Sequence, residues 1–138
     1  MQKNQQESRD SVTKLTLQFL AEVIGQCPAE LEKSTERDVV FAVVGFQYGA
    51  VQSAAYAAGL EKEDAQAISE EVIGRINGME MEAVQKLLAL MPMLARKEYP
   101  PIGIGQRAII SFYNAASDED KLTATETLRE ILHQIDRS

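Results

Sequence analysis

Apolar positions along this chain recur at helical spacing. Between Asp10 and Gln26, Val12, Leu15, Phe19, Leu20, Val23 and Ile24 share one helical face, Asp10 or Ser11 can cap the start, and Gly25 with Cys27-Pro28 closes the segment. Ala29 to Glu36 reads as a short helical turn or a loop. The next helix is expected from Thr35 to Ala58, with Gly59 as its stop. Val39, Val40, Val43 and Val44 suit a strand by propensity, but the apolar run is far longer than a strand and its Ala-rich tail prefers a helix. Because it is apolar nearly all round, neighbours should surround it.

The pattern then predicts a helix over Lys62 to Asn77, ended by Asn77-Gly78, with Ala65, Ile68, Val72 and Ile76 inward. Another follows over Met79 to Ala95, with Met81, Val84, Leu87, Leu88, Met91 and Leu94 on one face and Pro92 expected to kink it or open a second short segment. Tyr99-Pro100-Pro101-Ile102-Gly103-Ile104-Gly105 reads as the clearest loop in the chain. A fifth helix is expected from Gln106 to Ala116. Ser117 or Asp118 then caps a sixth, whose buried face is Leu128, Ile131, Leu132 and Ile135. No repeat or linker divides the chain. The fold expected is all-α, a single-domain bundle of about six helices around a central apolar helix, over residues 1–138 with 1–9 as a flexible N-terminus.

Composition agrees with a globular chain: 138 residues, 45% apolar and 25% charged. The formal charge of −7 disfavours phosphate backbones as partners and would attract a basic one, although an acidic excess also simply serves solubility. Cys27 is the only cysteine, so no intramolecular disulfide can form, and Met1 to Asp10 holds no apolar signal core. A cytoplasmic location is the expectation. Val39 to Leu60 is free of charge and long enough to cross a bilayer. Gln47, Gln52 and Ser53 within it, the Ala-rich second half and the weakly charged flanks favour a buried helix instead.

Candidate chemistry is sparse. Gly45, Gly49 and Ser53 form a row of small residues on one helical face, beside Gln52 and Tyr56. Such a row admits close packing of another helix; alternatively, Gln47, Tyr48, Gln52 and Tyr56 line a ligand groove. Gly103-Ile104-Gly105-Gln106-Arg107-Ala108 matches a dinucleotide fingerprint in letters only, because the strand and βαβ unit it needs are missing. A milder reading gives Arg107 and the helix start an anion or a partner's carboxylate. Glu130 and His133 form an ExxH quartet with Glu126 one turn before. A di-iron bundle needs two such quartets, and His133 is the only histidine. No metal and no cofactor are expected. Cys27 has apolar neighbours that disfavour its thiolate, no GxSxG elbow is present, and the spacing of Glu22, Glu36, Asp38, Glu70 and Glu80 singles out no catalytic pair.

The segment Phe46-Gln47-Tyr48-Gly49-Ala50-Val51-Gln52-Ser53-Ala54-Ala55-Tyr56-Ala57-Ala58-Gly59-Leu60, a glycine-containing apolar helix ending in Gly-Leu before an acidic helix, resembles small all-α immunity proteins of bacterial polymorphic toxin systems. The resemblance implies a cytosolic protein that blocks a toxin by stoichiometric binding and brings no catalytic residues. Two readings follow. The first is a non-enzymatic protein-binding domain, contacting a basic partner through Glu61, Glu63, Asp64, Glu70, Glu71, Tyr99 and Arg107. The second is a small-ligand-binding or enzymatic domain using Gln47, Tyr48, Gln52 and Tyr56. A homo-oligomeric module resting on Met91, Met93 and Leu94 is a further possibility.

Overall fold

A computed structural model describes residues 2–31 and 36–137. Eight helices follow one another among them: α1 (Gln2–Gly25), α2 (Pro28–Leu31), α3 (Arg37–Ala57), α4 (Lys62–Asn77), α5 (Met81–Arg96), α6 (Pro100–Tyr113), α7 (Asp118–Thr125) and α8 (Thr127–Arg137). No strand occurs among the described residues. The protein is a helical bundle with α3 at its centre.

Two apolar cores meet on α3. On one side Phe46, Ala50 and Val51 pack with Phe19 and Val23 of α1, Ile68 and Val72 of α4, Phe112 of α6, and Leu128 and Leu132 of α8. On the other, Val44 packs with Ile73, Val84, Leu88, Met91 and Ile102. Burial on opposite faces is why α3 is apolar all round. It is the one helix among the described residues long and apolar enough to cross a membrane, and 61% of its apolar window is buried inside the bundle, as in the core helix of a soluble domain. Phe19 joins three helices, its ring 6.2 Å from Phe46 and 5.1 Å from Phe112. Burial of each such ring contributes roughly 1.5–3 kcal/mol.

Three helix ends follow local chemistry directly. Gly59 and Gly78 adopt left-handed φ of 74° and 63°, ending α3 and α4 where the sequence places the stops. Ser117 caps α7, its hydroxyl accepting from the Asp120 N–H at 3.2 Å. Between α5 and α6 the left-handed position falls on Glu98, and Tyr99 N–H closes the turn on the Leu94 carbonyl.

Several expectations change. The first helix begins at Gln2 and runs through the segment read as a flexible N-terminus, so Asp10 and Ser11 are interior positions and not caps. Gln2, Lys3, Gln5, Gln6, Glu7 and Arg9 at its start are straight-chain helix formers that carry no apolar period. The expected start of the second helix at Thr35 lies outside the described residues, and α3 begins at Arg37. The expected single final helix is two, α7 and α8; of the two outcomes expected at Pro92, the second short segment does not form, and α5 runs on through it.

The largest change is at Tyr99 to Gly105, which is not a loop: α6 is helical from Pro100. Two prolines are tolerated there because the first N–H groups of a helix have no intrahelical acceptor. Gly105 serves close approach instead of a turn. A β-carbon on it would sit 2.0 Å from the Phe46 carbonyl oxygen, and one on Gly49 would sit 2.0 Å from that of Ile102. The helices touch backbone to backbone. The start of α3, at Arg37, Asp38 and Phe41, borders a cleft with Tyr99 at the start of α6, and its end, at Ser53, Ala54 and Ala57, lies across a groove from Ile109, Ile110 and Tyr113 at the end of α6, so the two helices run in the same general direction.

Candidate functional site

The row of small residues that lets α6 approach α3 continues past the contact, since Gly45 and Gly49 are followed at the same spacing by Ser53 and Ala57. The first half of the row packs against α6, and the second half lines an open groove. Ser53, Ala54, Ala57 and Ala58 of α3 and its end form one side of a groove, Ile109, Ile110, Tyr113 and Asn114 a second, and Glu7, Ser8, Ser11, Val12 and Leu15 of α1 the third. Its volume is about 840 Å³. Leu15, Ile110 and Tyr113 keep 42%, 50% and 40% of their surface in solvent, so three large apolar side chains stand along one open trough.

Tyr113 fastens the groove's edge. Its hydroxyl donates to the Leu15 carbonyl oxygen across the α6–α1 gap, and its ring meets Phe112 edge-on at 4.9 Å. Burial, and then the charge of Glu22, hold the phenol above its ordinary value of 10.0. The folded protein therefore grips this proton more tightly than the unfolded chain. The stabilisation is complete below pH 10 and is lost as pH rises through the raised folded value. Tyr113→Phe is expected to lower stability by about 0.5–1 kcal/mol at neutral pH through the lost hydrogen bond. The gap between the two proteins in urea melts should close above pH 10; a gap that widens there would contradict the assignment.

The residues proposed as a ligand groove do not converge. Gln47 is fully buried and exchanges amide hydrogen bonds with Asn77, Nε2 donating to Oδ1 at 3.2 Å and Asn77 Nδ2 donating to Oε1 at 2.6 Å. Tyr48 packs half-buried against the second core, where burial raises its phenol. Gln52 is half-buried, and Tyr56 is 88% exposed. None of the four lines the groove described above. The signal that finds it is the continuation of the small-residue row to Ser53 and Ala57.

The acidic candidates divide. Glu61 and Glu63 stand exposed at the start of α4, just past the groove's end at Ala58, whereas Asp64 pairs with Arg9 of α1 at 3.8 Å. Glu70 faces α5, accepting from Gln85 at 3.5 Å, and Glu71 is exposed. Tyr99 borders a separate cleft with Phe41, Leu90 and Met93, its phenol raised by burial and by Asp38. Arg107 lies along another cleft between α6 and α7, its guanidinium near Gly103. These residues form no single surface.

Other chemistry stays dispersed. Among the described residues no three His, Cys, Asp or Glu side chains gather as a metal site. Cys27 is buried in the first core, its thiol donating to the Val23 carbonyl oxygen at 3.4 Å. No protein-family model, curated protein or solved structure matches this chain.

Proposed function

We propose that this protein is a non-enzymatic, cytoplasmic binding domain that holds a protein partner in the groove between α1, α3 and α6. The observation that carries the reading is the run of Leu15, Ile110 and Tyr113, half in solvent along one trough. Apolar side chains left together on a surface gain free energy when a partner covers them. An immunity protein that neutralises a bacterial toxin by stoichiometric binding is the concrete form of this proposal, and the acidic start of α4 beside the groove suits a basic toxin domain.

The alternative, a small-ligand-binding or enzymatic domain, has the groove's volume in its favour, since about 840 Å³ lies within the range of ligand sites. Openness weighs against it, because ligand sites bury most of their occupant. The test is co-expression with any toxin domain found encoded beside this gene, with titration calorimetry on the purified pair. Protection and a one-to-one complex, both lost in Leu15→Gln/Ile110→Gln, are expected. Protection that survives the double substitution would move the binding site elsewhere, and no complex at all would sink the proposal.

A further inference from the structure

Resting on that reading of the groove, we infer that its occupant is a cationic amphipathic helix of the partner. The mode of recognition follows from the walls. Adding a strand to a protein requires an edge of unpaired backbone N–H and C=O groups. The groove is walled by helices, so it offers side chains and helix ends and no strand edge. An apolar helical face laid between Leu15, Ile110 and Tyr113 meets that requirement.

The charge of the occupant follows from what surrounds the trough. The C-terminal ends of two helices, α3 at Ala57 and α6 at Tyr113, both lie on it. Helix C-termini carry partial negative charge from their unpaired carbonyls and favour cations. Glu7 lines the trough, and Glu22, in a neighbouring cleft that also holds Asp118 and Lys121, acts on Tyr113 at its edge. On α1, Arg9 is held by Asp64 and Lys14 is exposed, set against Glu7, Asp10 and Glu22 on the same helix. A second copy of this chain, itself at −7, would set like charges and like helix ends against one another. A Lys- or Arg-flanked helix satisfies both the apolar floor and the negative ends.

The test uses fluorescence anisotropy with a labelled Leu/Lys peptide of about 18 residues, roughly five helical turns, with all leucines on one face. The controls are a scrambled peptide of identical composition and a Leu/Glu counterpart. The Leu/Lys helix should bind, weaken about ten-fold or more in Leu15→Gln/Ile110→Gln, and weaken further as salt rises. Circular dichroism checks that the variant folds, as its two exposed positions lead one to expect. Equal binding of the scrambled or Leu/Glu peptide, or indifference to the double substitution, overturns the inference. So does a dimer of the protein alone that the same substitutions dissolve. If the peptide fails while the cognate toxin still binds through the groove, only the class of occupant is wrong; if both fail, the proposed function falls with it.

Discussion

Gly49→Ala is expected to destabilise this protein by about 3 kcal/mol, the upper part of what overpacking a core usually costs. The added methyl would lie 2.0 Å from the Ile102 carbonyl oxygen, 2.8 Å from its carbon and 3.1 Å from its Cα. All three atoms are backbone, so no rotamer change relieves the clash and α6 must retreat as a body. That movement loosens Phe46 and Ile109 on one core and Ile102 on the other. Against a total stability of about 5–15 kcal/mol for a domain, the shift in urea midpoint will be large. Gly105→Ala presses on the Phe46 carbonyl in the same way, and the double variant should cost less than the sum, because one retreat of α6 relieves both contacts.

Gly74→Ala is the contrast. From its position inside α4 the methyl would meet Val84 of α5 at 3.5 Å and the Met79 oxygen at 3.6 Å, both ordinary contacts. Replacing that helical glycine should stabilise by roughly 0.5–1 kcal/mol. A neutral Gly49→Ala would refute the backbone-to-backbone crossing. The crossing also bears on function, since a displaced α6 carries Ile109, Ile110 and Tyr113 with it and changes the width of the groove.

The second large effect concerns the buried amide. Asn77→Ala should cost about 2 kcal/mol, because it leaves the Gln47 amide in the core without its partner. Among the described residues, Asn77 is the group that satisfies both ends of that amide, while its own Nδ2 also donates to the Ile73 carbonyl. Gln47→Leu should cost less, since Asn77 is half-buried and retains Ile73. Joining the two in Gln47→Leu/Asn77→Leu should recover much of the loss, as removing both polar partners avoids a stranded one. A double-mutant cycle in urea reads this as coupling. Strict additivity would mean that the pair does not hold α3 and α4 in register.

The same pair explains one difference between sequence and structure. Gln47, Tyr48, Gln52 and Tyr56 look like a ligand face because polar groups interrupt an apolar helix. What polar residues on a central helix do depends on what lies opposite each of them. Asn77, thirty residues on, turns Gln47 into an inter-helix clasp, while Tyr56 lies beyond the packed region with 88% of its surface exposed. Nothing local distinguishes the two cases.

By itself the sequence determined that the chain is all-helical, that α3 is the central helix, and that α3 and α4 stop at Gly59 and Gly78. These features are set within a few residues, by apolar period, capping and the left-handed φ that glycine accepts. Tertiary structure alone decided that Pro100 to Gly105 is helical, since prolines and glycines signal a loop until α3 presents a backbone surface for Gly105 to meet. It also decided where the groove opens. Gly45, Gly49, Ser53 and Ala57 are one continuous row in the sequence, and only the placement of α6 against its first half separates the packed part from the open one. The physical reason is that a small side chain permits close approach without requiring it, so the same row becomes interface or groove according to where the neighbouring helix lies.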